Sequence, residues 1–213
     1  MIDSFTHKGM RNKLVETLKK KGIASAAVLQ AMGTVPRHLF MDSSFVGHAY
    51  VDKAFPIAAG QTISQPYTVA VQTELLQLKK GSSVLEIGTG SGYQCAVLLE
   101  MGMAVYTVER QNELFKKTKL FFSKLEYRPK KMIFGDGHKG LPQAAPFDGI
   151  IVTAGATFVP KPLLAQLKVG ARLVIPLGGE VQLMTVFTRT SQTQFRKEEH
   201  GGFRFVPLVK HKN

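Results

Sequence analysis

The run EIGTGSGYQCAVLL places an acid, Glu86, directly ahead of three glycines, Gly88, Gly90 and Gly92. Glycines at this spacing let a backbone turn tightly and approach a ligand where a Cβ would obstruct it. The third glycine of a dinucleotide fingerprint would fall where Tyr93 stands, and the Gly-Lys-Ser/Thr of a phosphate loop is absent. A carboxylate ahead of the loop would repel a pyrophosphate but suits a ligand with ammonium and sulfonium charges. Three more segments carry compatible groups. Glu109 ends AVYTVE and can accept hydrogen bonds from both hydroxyls of a ribose, while Asp136 in FGDGHKG can accept from an adenine amino group. Thr153 lies in GIIVTAGA, a further wall. Each acid alone reads equally well as a capping or solvated residue. Together, four such segments point to S-adenosylmethionine, with S-adenosylhomocysteine as its product.

Upstream lies FPIAAGQTISQPYTV, with Ser64 near its centre. Two readings are open for that serine. It can cap the helix predicted from Tyr67 to Leu78, with Pro66 in the first turn. It can also hold a carboxylate, because free amides beside a hydroxyl form an anion-binding corner.

These residues need a scaffold with several strand ends side by side. SVLEI, AVYTVE, KMIF and GIIVTA are short, apolar and rich in β-branched residues, as buried parallel strands are. Helical patterns separate them. In NELFKKTKLFFSKL, the residues Leu114, Thr118, Phe121, Phe122 and Leu125 form one stripe, and the lysines face away. This alternation predicts a doubly wound, Rossmann-like α/β sheet, mostly parallel. PKPLLAQL reads as another helix, ARLVIPL as a fifth strand, and VQLMTVFTRT with FRFVPLV as added strands, partly antiparallel. Ahead of the sheet, helices are predicted from Met10 to Lys21 and after Ser25, as an N-terminal appendage. Residues 1–80 would close the site and 81–213 would form the α/β core, together one compact domain.

The chain has 213 residues, 44% of them hydrophobic and 20% charged, enough to bury a real core. No apolar run reaches membrane-spanning length, and the first residues lack a secretory signal. A single cysteine, Cys95, allows no internal disulfide, and six scattered histidines suggest no metal site. A cytoplasmic protein is the simplest reading. The net charge of +13 gathers in residues 8–21, 116–131 and 189–213. These clusters read as solvated helix faces, or as surfaces steering an anionic partner. His138 reads as a loop or surface residue, and Cys95, Met101 and Met103 as core packing.

The stretches VPRHLF, AYVDKAFPI, GQTISQPYTVA, VLEIGTGSGYQCAVL, YTVER, GDGHKG, PFDGIIVTAGA and QLKVGARLVIPLG closely resemble the protein-L-isoaspartate O-methyltransferase family. The glycine loop is shared by many methyltransferases, whereas TISQP and TAGA are more specific. The resemblance implies that Ser64 is the active-site serine and that Gln61, Thr62 and Ile63 border the cofactor. It also implies cofactor contacts from Glu86, the loop glycines, Glu109, Asp136 and Gly137. The implied substrates are damaged proteins and peptides bearing L-isoaspartyl residues, and the implied state is a monomer with no obligate nucleic acid or membrane partner. The sequence departs from the pattern near VPL, where Val209 stands in place of a frequent threonine. Two rivals stay open: a methyltransferase acting on RNA or a small molecule, and a binding module that holds the cofactor without turnover. Against the first, no Asn/Asp-Pro-Pro-aromatic motif stands at the fourth strand end, where TAGA occurs instead.

Overall fold

In the computed structural model, which describes residues 3–209, five β-strands run parallel at the heart of a seven-stranded sheet. They are β3 (Ser83–Ile87), β4 (Ala104–Glu109), β5 (Lys131–Phe134), β6 (Phe147–Val152) and β7 (Leu167–Gly178). Antiparallel β8 (Gln182–Arg189) and β9 (Phe195–Phe203) extend the β7 edge. The order is β5-β4-β3-β6-β7-β8-β9. The chain therefore winds outward from β3 to β5, then returns to β6 on the other side of β3. That reversal opens a crevice above the adjacent ends of β3 and β6, where ligands of such sheets bind. Ile87 pairs with Val108 on one side and Val152 on the other, so the three strand ends are level.

The helices are α1 (Phe5–Lys20), α2 (Ala26–Thr34), α3 (Pro66–Leu76), α4 (Tyr93–Glu100), α5 (Asn112–Leu125) and α6 (Lys161–Ala165). A small hairpin, β1 (Phe55–Pro56) and β2 (Thr62–Ile63), precedes α3. The stripe on α5 buries Leu114, Thr118 and Phe122 and leaves Lys116, Lys117, Lys119 and Lys124 exposed, as its periodicity predicts. The N-terminal helices share the sheet's core: Leu14, Leu18 and Met32 belong to one apolar cluster with Val84, Val174 and Met184. Full burial of each such side chain stabilises by roughly 1.5–3 kcal/mol.

Three boundaries differ from expectation. α1 begins five residues early, because Ser4 and His7 form a reciprocal cap in which histidine replaces the usual glutamate. In PKPLLAQL only five residues are helical, and β7 starts already at Leu167. The last strand is FRKEEHGGF, not FRFVPLV; it has no alternating apolar pattern and is held by its backbone ladder with β8. Residues 204–209 instead cross the strand ends, where the Gly155 amide donates to the Val206 carbonyl and the Leu208 amide donates to the Gly155 carbonyl.

Candidate active site

The glycine loop is held from three directions. Its Gly90 amide donates to Glu109 Oε2 at 2.8 Å, and the Gln111 amide donates to Glu109 Oε1 at 2.8 Å. Thr118 from α5 donates to the Gly90 carbonyl at 2.7 Å. Thr153, at the end of β6, donates to the carbonyls of Ile87 and Gly88 at 3.0 and 2.7 Å. The Glu109 carboxylate is thus fixed at the crevice wall, only 4% exposed, with lone pairs left for further donors. Gln61, Thr62, Ile63 and Ser64, from β2 and the residues on either side of it, line the same crevice.

A second, broader cleft adjoins the first and is lined by Tyr67, Val71, His200, Phe203, Arg204 and Phe205. Ser64, Thr62, Thr153 and Val206 line both, so the two clefts meet at this serine. Ser64 is half-buried, and among the described residues its hydroxyl has no hydrogen-bond partner. It does not cap α3. The N-cap position is Gln65, whose side chain makes no capping bond, and Asp52 fulfils the role from a distance. Asp52 Oδ1 accepts from the Tyr67 amide at 2.8 Å, while Oδ2 accepts from Gln65 Nε2 and pairs with Lys21. Arg37, buried under Tyr93, holds the Asp52 segment by donating to the carbonyls of Ala49 and Lys53. The VPRHLF and AYVDKAF stretches therefore brace the serine turn. Asp52→Ala is expected to destabilise the protein by about 1–2 kcal/mol, the usual cost of a lost N-cap. Urea denaturation measures this, and an unchanged midpoint would contradict the capping role.

Three predicted residues do not stand on the crevice wall. Glu86 is fully buried behind the loop, because its side chain points into the sheet's packing beneath α4. Its Oε2 accepts from Thr107 at 2.6 Å, and the carboxyl also faces the Cys95 thiol of α4. Burial pushes its carboxyl up to about 8, with the Thr107 hydroxyl opposing and Glu109 adding to the shift. Gly92 faces α5: a Cβ there would come within 2.5 Å of Phe122, at φ +87°, so this glycine serves helix packing. Asp136 Oδ1 turns to the amide and ring of His138, and Gly137 takes the place at the wall. A Cβ on Gly137 would lie 2.4 Å from Ile87, so only glycine lets this turn close on β3. Gly88, Gly90 and Thr153 do line the crevice, although the Thr153 hydroxyl is already committed to the loop.

The position of Glu86 has a consequence for stability. Its neutral form is favoured in the fold, so the contribution is present in full below about 4.5 and is lost as pH rises towards 8. Glu86→Gln is expected to be more stable than the wild type by a margin that widens from pH 5 to pH 8. A margin independent of pH in urea melts would contradict this.

The tail around VPL, whose contacts the sequence left open, does reach the site, and two further lining residues were not expected from the sequence. Val206, Pro207, Leu208 and Val209 line the crevice through the pairing with Gly155. Thr89 lies within the loop and Arg110 directly after the strand-end acid, and both also line it. For those two, adjacency to the recognised motifs was the available signal. Among the described residues, one group has metal-type ligands: Asp3, His7 and His38, with ligand atoms within 4.8 Å of one another. Asp3 is taken by Arg11, and the two imidazoles stack face to face at 3.8 Å, so they do not converge on a common point.

The family model described as protein-L-isoaspartate(D-aspartate) O-methyltransferase matches residues 9–213. A curated protein-L-isoaspartate O-methyltransferase of Christiangramia forsetii is 65% identical over the full length of both chains. Another, of Dictyoglomus thermophilum, is 47% identical over 97% of this chain and 94% of its own. A solved protein-L-isoaspartate O-methyltransferase superposes with a TM-score of 0.85 at 29% identity, over 93% of this chain and 66% of that longer one. A Plasmodium falciparum chain described as the same enzyme, solved in complex with S-adenosyl-L-homocysteine, gives 0.81 at 25% identity, over 94% and 99%.

Proposed function

The chain belongs to the protein-L-isoaspartate(D-aspartate) O-methyltransferase family, and on that premise we propose how its site divides the work. The enzyme methylates the free carboxylate of L-isoaspartyl residues in proteins and peptides, using S-adenosylmethionine. The narrower crevice is the cofactor's place and the broader cleft the peptide's, with Ser64 at their junction. That junction carries the reading.

Bound S-adenosylmethionine supplies an electrophilic methyl group on a sulfonium. The residues present fit such a ligand. Glu109 has lone pairs facing the crevice for a ribose, and Gly88, Gly90 and Gly137 allow a close approach. Ile63, Val108 and Leu114 provide an apolar wall. Gln61 and Thr62 also line the crevice, from the short hairpin ahead of α3.

An isoaspartyl carboxylate is already ionised at neutral pH, so the reaction needs no general base. The serine donates its hydrogen to one carboxylate oxygen and leaves the other to be methylated. Alignment in a water-poor cleft supplies most of the acceleration, because an anion and a cation become two neutral groups. Methoxide then leaves the ester more readily than oxide leaves a carboxylate. Attack by the neighbouring backbone nitrogen on the ester carbonyl breaks its C–O bond, expels methanol with the amide proton and closes a succinimide, whose hydrolysis returns part of the chain to normal aspartyl linkage.

A buried free thiol at Cys95 suits a cytoplasmic enzyme, and no helix among the described residues is long and apolar enough to cross a membrane. The protein acts as a monomer in this reading. A tritium-transfer assay tests the substrate assignment with an isoaspartyl peptide, its aspartyl twin and RNA. Label is expected in the isoaspartyl peptide alone. Equal labelling of both peptides, or labelling of RNA only, would overturn the assignment.

A further inference from the structure

A third cavity lies outside both clefts described above, between α5 and residues 39–58. Its volume is about 560 Å³, the size of a small-molecule site. One wall is a single face of α5, with Leu114, Lys117, Thr118, Phe121 and Lys124 spaced along roughly 15 Å of helix. The other wall is Leu39, Phe40, Phe45, Pro56 and Ile57. The two walls meet where Phe40 and Phe121 pack edge to face, with ring centroids 5.2 Å apart. Among the large apolar side chains lining the cavity, Leu120 alone is exposed, whereas a protein interface needs about 800 Å² on each partner.

Charge selects the occupant. Lys117 and Lys124 are exposed at the cavity's edge, and among the described residues neither forms an ion pair. Asp42, the one acid among the described lining residues, is engaged by the amide and hydroxyl of Ser44 at 3.0 and 2.7 Å. The edge therefore attracts an anion. It repels a second copy of this chain, which would bring the same two lysines against it. An apolar slot with cations along one edge fits an alkyl chain that ends in a carboxylate. We propose that this cavity binds a free medium-chain alkyl carboxylate, with the chain between α5 and residues 39–58 and the head at the lysine edge. The site is separate from the cofactor crevice, because the two share Ser91 and Leu114 alone among the described residues.

Calorimetry with decanoate below its micellar concentration tests the proposal on the full chain. One decanoate per chain is expected, and no binding of decyltrimethylammonium, a cation of matching chain length. The double variant Lys117→Glu with Lys124→Glu should bind decanoate about tenfold more weakly, since two attractions become repulsions. Both positions are exposed and outside the catalytic crevice, so methyl transfer without decanoate should stay at the wild-type rate, which vouches for the fold. Saturating S-adenosyl-L-homocysteine should leave the decanoate count unchanged. Equal binding of the cationic amphiphile, or an unaffected double variant, would overturn the proposal as non-specific adsorption. Displacement of decanoate by S-adenosyl-L-homocysteine would overturn it by placing the chain in the cofactor crevice. Sedimentation with anionic phospholipid vesicles, if it captured a protein that bound no free decanoate, would assign the cavity to a membrane surface instead.

Discussion

Ser64→Ala is expected to lower turnover on an isoaspartyl peptide about a hundredfold while leaving S-adenosyl-L-homocysteine affinity within about twofold. The size follows from what the hydroxyl does. It is half-buried, has no partner among the described residues and lies where the two clefts meet, so its hydrogen is available to the acceptor carboxylate. Losing one charged hydrogen bond costs roughly 1.5–3 kcal/mol. Here the lost bond is also the one that sets the angle of attack, so the effect falls on turnover. The cap of α3 comes from Asp52, and the substitution should leave the melting temperature nearly unchanged. Stability and turnover falling together would return Ser64 to a structural role. Unchanged turnover would remove it from the chemistry.

Glu109→Ala is expected to weaken cofactor binding by about 1–3 kcal/mol, or roughly 5- to 150-fold, through lost charge-assisted hydrogen bonds. The carboxylate has two tasks. It faces the crevice, and it holds the Gly90 and Gln111 amides at 2.8 Å each. Alanine frees both amides and loosens the loop that approaches the ligand. Glu109→Gln separates the tasks: its carbonyl oxygen can still hold one amide, but the charge is gone. An intermediate affinity for Gln, between wild type and Ala, is the expected order. Calorimetry reads it, and equal affinity in all three proteins would refute any ligand role for Glu109.

Much of this arrangement was legible in the amino-acid order, for reasons that also mark where it stopped. β3, β4 and β6 are short apolar runs rich in β-branched residues and bounded by turn residues, which favours buried strands over helix. The glycine loop and Glu109 followed from their position at strand ends. Glu86 and Gly92 lie in the same motif but face the protein interior. Spacing along a chain gives position on a loop, not the side on which a side chain emerges. Ser64 was ambiguous because preferences at helix starts favour a serine cap. The competing cap, Asp52, lies fifteen residues from the Tyr67 amide it receives, and local rules do not see it. The tail was misjudged for a similar reason: Val206 to Val209 are ordered by a bridge to Gly155, a long-range pairing with no local pattern. β9 carries charge on both faces and shows no strand periodicity at all.

A crystal structure with S-adenosyl-L-homocysteine and an isoaspartyl peptide bound together tests the central claim most directly. The ligand's sulfur is expected in the crevice between Glu109 and Ile63, with a free carboxylate oxygen of the isoaspartyl residue facing it. The other oxygen of that carboxylate should lie within hydrogen-bonding distance of Ser64 Oγ. A peptide carboxylate held away from Ser64, or a ligand seated outside residues 61–64, would contradict it.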